Sequence, residues 1–223
     1  MIGLTNRGRL LVLTAFFRNS QTLRVVLLAK KNEHALNAAA ATNEGAGKVG
    51  LPCTTHGYAA GAAIVVSGTV NYNGRWLVDS ATTTNKIVIL ALYRSETFTG
   101  AELVHEAPGP LTNTMAAVVE IAAGNGYDAG GITLTADGTD FPTVSQDDSG
   151  NRAFARMRDV SWTASGGAIP ASGDGARYAA LIDDNATPAN RQLVGYGSLD
   201  VDRSVAEGGI IPLLNFDFVL AEV

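Results

Sequence analysis

In the second half of the chain, short apolar runs alternate with clusters of turn-forming residues, and this leaves little room for long helices. The clusters include ADGTD, SQDDSGN, SGGAIPASGDG and DDNATPAN. Strands separated by turn signals at short intervals are typical of antiparallel sandwiches and barrels. We therefore predict strands at 131–135, 152–162, 176–182, 192–200 and 210–221.

The last of these runs has a clear period of two, which is the side-chain period of a strand. A half-buried strand in an antiparallel sheet alternates in this way. One predicted face carries Leu214, Phe216, Phe218 and Leu220, and the other carries Asn215 and Asp217. No strand–helix–strand rhythm is present, so the sequence favours a mainly β fold, β-sandwich-like or jelly-roll-like, with one or two short helices.

The first 50 residues combine a helical signal with an ambiguous one. Leu10, Leu13 and Phe17 recur at helical spacing, so residues 5–17 are predicted to form a helix capped by Thr5 or Asn6. Residues 22–30 are predicted to form a buried strand. The Ala-rich and then Gly-rich segment 33–50 is interpreted as one short helix or a linker, and a helix over 36–48 is an open alternative.

A second β pattern occupies the middle of the chain. AAIVVSGTV and NKIVILALY are predicted strands, and VNYNGRWLVD is a predicted hairpin with Asn73-Gly74 as its two-residue loop. Asn and Gly tolerate the positive φ angles that a type I′ turn requires. EAPGPL, residues 106–111, marks the exit from this region. TMAAVVEI, which follows, is predicted to form a short helix capped by Thr112 or Thr114.

The amino-acid composition, the net charge and the cysteine count limit the classes of function that this chain can have. The chain has 223 residues with 46% apolar and 17% charged side chains, which indicates a globular protein with a substantial core. The net charge is −5, and the arginine group Arg152, Arg156 and Arg158 is flanked by Asp147, Asp148 and Asp159. We therefore expect no nucleic-acid partner.

The chain has one cysteine, so it cannot form an internal disulfide. Its N-terminal apolar run is too short to span a bilayer, so no membrane partner is expected.

Gly124, Gly126 and Ala129 have the G-x-G-x-x-A spacing of a dinucleotide-binding loop. That motif needs a helix after the loop, because the helix N-terminus supplies the N–H groups that bind the phosphates. Here Gly130 and Gly131 lead into ITLTADG, which is β-branched and typical of a strand. We interpret the glycines as loop geometry and predict no cofactor.

Three further groups of residues invite a chemical interpretation. Cys53 and His56 form half of a zinc motif, which His34 and His105 would have to complete. Asp137, Asp140, Asp147 and Asp148 could bind calcium, but Asp more commonly caps turns. Tyr72 and Trp76 suggest either a sugar-stacking platform or a cross-strand pair, and Trp162 is predicted to be core. We assign no metal, catalytic or cofactor-binding residue.

Several segments together resemble a family of tailed-bacteriophage virion structural proteins of the head-decoration or cement type. The segments are LTNRGRLLVLTAF near the start, LTNTMAAVVEIAAGNGYDAGGITLTADGTDF (111–141), AFARMRDVSWTASGGAIPASGDGARYAALIDDN (153–185) and LVGYGSLDVDRSV (193–205). The resemblance covers residues 4–30 and 111–223. It carries no active site to transfer.

About 75 residues interrupt the family pattern. HGYAAGAAIVVSGTVNYNGRWLVDSATTTNKIVI (56–89) resembles a small β-barrel-like module found in phage tail and capsid proteins, similar to a domain of ubiquitin-activating enzymes. We predict a β-sandwich-like anchoring domain built from 1–35 and 107–223, with a small β module inserted at 36–106. The similarity of the insert implies a fold and no ubiquitin chemistry.

The resemblance implies a non-enzymatic protein that decorates and stabilises the capsid shell of a virion assembled in the host cytoplasm. Its expected partners are the major capsid protein or other virion subunits, and copies of itself in a homo-oligomer such as a trimer. The alternative is a tail or fibre component that recognises a host-surface glycan or receptor, with the insert as recognition head. A wall-degrading enzyme is a third hypothesis, which no clustered residues support.

Overall fold

The computed structural model describes residues 4–221, and these residues form two compact units. Unit 1 contains residues 4–29, 114–116 and 120–221, and unit 2 contains residues 30–113 and 117–119. The described residues hold one α-helix, two 3₁₀ turns and sixteen strands. The predicted mainly β fold with a short helix is therefore confirmed.

The elements of unit 1 are α1 (Asn6–Phe17), β1 (Thr22–Leu28), β9 (Ile132–Thr135), β10 (Thr143–Asp147), β11 (Arg152–Arg156), β12 (Val160–Thr163), β13 (Ala176–Asp183), β14 (Leu193–Arg203), β15 (Ile210–Leu213) and β16 (Asp217–Ala221). The elements of unit 2 are β2 (Lys31–Ala35), β3 (Thr42–Gly45), β4 (Lys48–Pro52), β5 (Ala63–Ser67), β6 (Gly74–Leu77), β7 (Lys86–Leu90) and β8 (Leu103–Glu106). The 3₁₀ turns are Met115–Ala117 and Pro188–Asn190.

Helix α1 begins where the sequence predicts. The Thr5 hydroxyl accepts a hydrogen bond from the Gly8 N–H at 3.1 Å, which satisfies one of the donors that a helix start leaves unpaired. Thr5, and not Asn6, is therefore the cap. Leu13 and Phe17 enter the core, where the Phe17 ring lies 4.4 Å from that of Phe141.

Unit 1 contains three antiparallel sheets around one core. Their strand orders are β14-β13-β1-β9, β10-β11-β16 and β12-β15. Strand β1 is interior to the largest sheet, so its TLRVVLL sequence is almost continuously apolar and its last four residues are buried. The core it joins also receives Trp162, as predicted, together with Leu181 and Ile211.

Unit 2 has its own core between two antiparallel sheets. Their orders are β2-β8-β5-β6 and β3-β4-β7. Val49 and Leu51 of β4 face the core with Ile87 and Ile89 of β7, and Ile64 of β5 packs from the other sheet. The predicted strands at AAIVVSGTV and NKIVILALY correspond to β5 and β7.

The interpretation of 33–50 as a helix or linker is wrong. This segment holds the end of β2, all of β3 and the start of β4. Lys86 Nζ on β7 binds Glu44 Oε2 on β3 at 2.7 Å, so a cross-strand ion pair helps to hold these polar strands. Gly50 inside β4 leaves room for polar side chains of the neighbouring strands, because a Cβ there would meet Thr42, Glu44 and Lys86. Tertiary pairing therefore outweighs the low strand propensity of Ala and Gly.

The predicted helix at TMAAVVEI is also wrong, because only the 3₁₀ turn Met115–Ala117 forms there. Backbone bridges hold the segment on both sides of this turn: Thr114 pairs with Gln192 and Glu120 pairs with Leu28. Those bridges use backbone groups that a continuing helix would need for itself.

Two long predicted strands are each divided in the structure. The 152–162 run becomes β11 and β12, and the 210–221 run becomes β15 and β16, with Asn215 between them at a φ of +52°. Leu214 is consequently 57% exposed and does not share a buried face with Phe216 and Phe218. The predicted apolar face therefore holds only from Phe216 onward, while Ile211 and Leu213 of β15 alternate in the opposite register.

The predicted hairpin loop at Asn73-Gly74 is wrong as well. Strand β6 already begins at Gly74, which pairs with Val66 of β5, so the connection is the longer segment 68–73. The Asn73 side chain closes that segment. Its Oδ1 accepts from the Thr69 N–H at 2.9 Å, and its amide donates to the Thr69 carbonyl at 2.6 Å.

Candidate functional sites

The glycine loop of unit 1 is a hairpin turn that positions a buried tyrosine. Gly124 and Tyr127 exchange two backbone hydrogen bonds, of 2.8 and 3.1 Å, across Asn125 and Gly126. The φ angles of Asn125 and Gly126 are +56° and +98°, as a type I′ turn requires. No helix follows, because Gly131 leads directly into β9. The loop is therefore used for chain geometry.

Tyr127, at the end of this turn, is fully buried, and its hydroxyl has two hydrogen-bond partners. Its hydroxyl donates to Glu120 Oε1 at 2.7 Å and accepts from the Leu27 N–H at 3.0 Å. The same Glu120 oxygen accepts from the Gly130 N–H at 2.6 Å. Burial raises the pKa of Tyr127 far above its ordinary value, and the adjacent Glu120 carboxylate adds to the effect. The Tyr127 hydroxyl and the Glu120 carboxylate therefore hold β1 to the loop.

The Cys53–His56 half-motif lies in the core of unit 2. The Tyr58 N–H donates to His56 Nδ1 at 3.0 Å, so Nε2 carries the proton and donates to the Thr83 carbonyl at 2.7 Å. Both ring nitrogens are thus used by the protein. Cys53 is buried, its Sγ lies 3.6 Å from the Ala35 carbonyl, and burial raises its pKa to about 11.

The other two histidines also lie in unit 2. His34, on β2, is opposite Val104 of β8, and its ring lies 5.7 Å from that of Tyr58. His105 is buried on β8 opposite Val65. Within residues 4–221, no group of three or more His, Cys, Asp or Glu side chains is placed to hold a metal ion.

Near His56, a shallow depression of about 530 Å³ is lined mainly by threonines. The lining residues are Thr55, His56, Gly57, Tyr58, Thr82, Thr83 and Thr84. Since both His56 nitrogens are bound within the protein, the depression offers hydroxyl groups and a ring face but no available imidazole nitrogen.

The aspartates of the turns are used in capping and ion pairs. Asp137 Oδ1 accepts from the Thr139 and Asp140 N–H groups, and Asp140 pairs with Arg158. Hydrogen bonds from the Ser149 hydroxyl and the Gly150 N–H, and then from Arg152, lower the pKa of Asp147 to about 2. Asp148 accepts from Asn6 at 3.0 Å. Asp137 and Asp147 thus fill the turn-capping role that Asp commonly has, while Asp140 and Asp148 bind side chains distant in sequence.

The arginine group is neutralised residue by residue. Arg152 pairs with Asp147, Arg158 pairs with Asp140, and Arg156 forms a two-pronged pair with Asp217 at 2.7 and 2.8 Å. Arg152 and Arg158 therefore lie beside carboxylates of turns, and Arg156 links β11 to β16. The three side chains do not form an uncompensated basic stripe.

Tyr72 and Trp76 form neither the stacking platform nor the cross-strand pair considered from the sequence. Tyr72 is 1% exposed, and its ring packs against Phe98 at 6.3 Å. Trp76, on β6, is opposite Ile64 and donates from Nε1 to the Tyr72 carbonyl at 2.9 Å. The Tyr72 ring is therefore unavailable to a sugar.

One set of exposed apolar side chains in unit 1 lies on α1 or immediately before it. Leu4, Leu11 and Val12 are each at least 50% exposed, while Leu13 and Phe17 on the same helix are buried. We call these three residues the outer helix face. Beside it, an open groove of about 480 Å³ is lined mostly by apolar side chains of α1, β14 and β16, among them Val12, Phe16, Val194, Tyr196 and Val219.

In unit 2, three exposed apolar side chains lie on two segments that are joined by hydrogen bonds, and we call them the apolar tip: Val70, Leu92 and Tyr93. Val70 is 87% exposed and Leu92 is 77% exposed. The Glu96 carboxylate accepts from the Val70 and Asn71 N–H groups at 2.6 and 2.9 Å. The two segments that carry the tip are thus tied together by hydrogen bonds.

No helix within the described part of the chain has the length and apolar character needed to cross a membrane. Comparisons of the chain with protein-family models, with curated proteins and with solved structures return no match.

Proposed function

We propose that this protein is a non-enzymatic structural component of a bacteriophage virion that binds the capsid shell through protein–protein contacts. The resemblance of residues 4–30 and 111–223 to head-decoration proteins motivates the proposal. The observation that carries it is the exposure of large apolar side chains on hydrogen-bonded structure in both units: the outer helix face and the apolar tip. Contiguous exposed apolar groups commonly mark protein interaction sites.

The outer helix face is the stronger of the two observations. A helix with one face against the core normally turns polar residues to water. Helix α1, NRGRLLVLTAFF, instead exposes Leu11 and Val12. A protein lattice that covers these side chains would remove them from water and would favour the bound state. Because a ligand that binds only the assembled shell stabilises it by mass action, many bound copies would strengthen the capsid.

The test is rebinding to virus particles that lack this protein. Purified chain is mixed with heads, with tails and with host cells, and the bound fraction is measured by sedimentation. We expect binding to tailless heads, and we expect Leu11→Asp to weaken it, while Leu214→Asp, at an equally exposed leucine away from the outer helix face, leaves it intact. Binding to tails or to host-surface glycan alone would support the alternative tail role, and binding to none of these would overturn both.

A further inference from the structure

Arg7 is an exposed arginine in the first turn of α1, and its side chain forms no hydrogen bond or ion pair with the described residues. Asp148, the acid that contacts this end of the helix, accepts from Asn6 and from Gln146 instead. Several other arginines of unit 1 form ion pairs with aspartates, namely Arg24, Arg152, Arg156, Arg158, Arg177 and Arg191. A cation in the first turn also lies at the positive end of the helix dipole, which is unfavourable in the free protein.

Arg7 shares the exposed side of α1 with apolar residues of the outer helix face. Leu11 lies four residues after Arg7, and the exposed Ala15 follows after four more, so the three side chains form one row along the helix. This row contains one cation and no acid. A partner that complements it must therefore supply both apolar surface and a negative charge.

Gly8, in the same turn as Arg7, is not required by packing within the chain. The nearest atoms that a Cβ on Gly8 would meet belong to Leu4 and Thr5, at 3.5 to 3.7 Å, and its φ is not positive. Alanine would therefore fit this position, and alanine favours a helix more than glycine does. A glycine at such a position lets another molecule approach the helix backbone closely.

We propose, building on the proposed function, that the outer helix face binds an acidic amphipathic segment of a capsid-shell subunit. Apolar side chains of this segment pack on Leu11 and Val12, and one of its carboxylates binds Arg7. A carboxylate at this place meets both the guanidinium group and the positive end of α1, so the two charges that are unfavourable together in the free protein are neutralised by one group.

Charge argues against a second copy of the chain as the occupant. A two-fold contact places the same surface patch on both sides of the interface. The first acidic residue of the chain is Glu33, so another α1 offers Arg7 no carboxylate. The acid that lines the adjacent groove, Asp217, already forms a two-pronged pair with Arg156.

The net charge of −5 likewise argues against an anionic lipid surface or a nucleic acid, since both would repel most of the protein. Surfaces that bind anionic lipids commonly carry clusters of about four to eight basic residues. Arg7 is a single cation within an apolar face, which suits one carboxylate of a protein partner better than a charged sheet or polymer.

The first test measures binding of the full chain to tailless heads that lack this protein. Arg7→Gln should weaken binding at least about tenfold and Arg7→Glu should weaken it further, whereas Arg7→Lys should retain most of it. Added salt should weaken binding of the original chain more than that of Arg7→Gln, because screening acts on the ion pair. Ser204→Glu, at an exposed serine between β14 and β15, changes the net charge as Arg7→Gln does and should bind like the original chain. Circular dichroism and thermal melting establish that each variant is folded.

The second test separates stability from binding at Gly8. Gly8→Ala should raise the urea midpoint of unit 1, because alanine favours the helix, and should still weaken head binding several-fold, because the added methyl group keeps the partner away. A glycine that served only the fold of the free chain would move both quantities in the same direction.

The outcomes distinguish this inference from the function on which it rests. If Leu11→Asp weakens binding to heads and Arg7→Glu does not, this inference fails and the proposed function stands. If the original chain does not bind heads, both fail. Binding to phosphatidylserine vesicles or to duplex DNA that Arg7→Gln abolishes would assign the face to those ligands and would also overturn the inference.

Discussion

The same dipeptide, Asn-Gly, occurs next to a buried tyrosine in each unit and folds in two different ways. In unit 1, Asn125-Gly126 is a type I′ turn followed by Tyr127. In unit 2, Asn73-Gly74 follows Tyr72, and Asn73 uses its side chain to close a six-residue connection while Gly74 starts a strand. The dipeptide permits a tight hairpin, but the hydrogen-bond partners around it decide whether one forms.

The largest predicted contrast comes from adding one methyl group to each glycine. A Cβ on Gly126 would lie 2.1 Å from the Thr163 carbonyl oxygen, whereas a Cβ on Gly74 meets no atom within 4 Å. Both glycines have positive φ, so both substitutions carry backbone strain. We expect Gly126→Ala to lower the free energy of unfolding of unit 1 by about 3 kcal/mol or more, and Gly74→Ala to cost unit 2 about 1–2 kcal/mol.

Each unit contains one tryptophan, which makes the two effects separable. Trp162 reports on unit 1 and Trp76 on unit 2. Urea unfolding followed by fluorescence in Trp76→Phe and Trp162→Phe backgrounds assigns each loss of stability to its unit. Equal losses for Gly126→Ala and Gly74→Ala would contradict the contrast.

The second contrast concerns the two buried tyrosine hydroxyls. Tyr127→Phe leaves the Leu27 N–H and the Glu120 carboxylate each without one hydrogen-bond partner in the core. Tyr72→Phe removes bonds to the N–H and carbonyl of Arg94, a residue at the surface where water can replace the hydroxyl. We expect about 2 kcal/mol for Tyr127→Phe and about half of that for Tyr72→Phe. The same fluorescence titrations measure both, and the reverse order would refute this explanation.

Substitutions of Asn73 and Asn125 test the same comparison, with smaller expected losses of stability. Asn73→Ala removes side-chain hydrogen bonds to the Thr69 N–H, hydroxyl and carbonyl, so we expect a loss of about 1–2 kcal/mol. Asn125→Gly keeps the positive φ that the turn needs and removes only the 2.8 Å bond to the Ala168 carbonyl. Its effect should stay below about 1 kcal/mol. A larger loss for Asn125→Gly than for Asn73→Ala would show that side-chain closure is not what holds the 68–73 connection.

The smallest expected effect is at a third turn, between β10 and β11, which is anchored at the surface. The hydrogen bonds to Asp147 hold its pKa near 2, below the ordinary 3.8. The carboxylate therefore stabilises unit 1 fully above about pH 4, and this contribution disappears as the pH falls towards 2. Asp147→Asn should flatten the stability of unit 1 within that window and leave its slope above pH 5 unchanged. A variant whose pH profile matches the original chain would contradict this assignment.

The sequence predicts elements whose signal is local. Thr5 caps α1 as predicted, and the apolar runs of β1, β5, β7 and β13 identify buried strands. Strands β3 and β4 have little local signal in the sequence, because their stability comes from partners distant in sequence, such as the Glu44–Lys86 pair. The sequence predicts the type I′ turn at Asn73-Gly74, whereas Asn125-Gly126 forms it, because the dipeptide alone does not show which hydrogen-bond partners surround it.

The candidate surfaces depend even more on the whole fold. Nothing in LVGYGSL indicates that it ends a sheet, because strand order is a property of the assembled chain. Nor does the spacing of Cys53 and His56 show that Thr83 and Tyr58 occupy both imidazole nitrogens. The exposed Leu11 could be placed on a helix from the sequence, but its exposure depends on how the core-facing side of α1 packs.

The central proposal is that this protein functions by binding neighbouring virion subunits. An electron-microscopy map of virions that contain the protein tests it most directly. The account predicts density for unit 1 seated on the shell of the head at every equivalent position, with the outer helix face covered by capsid protein. Density confined to the tail, or a complete shell with no copy of the chain on it, would contradict the account.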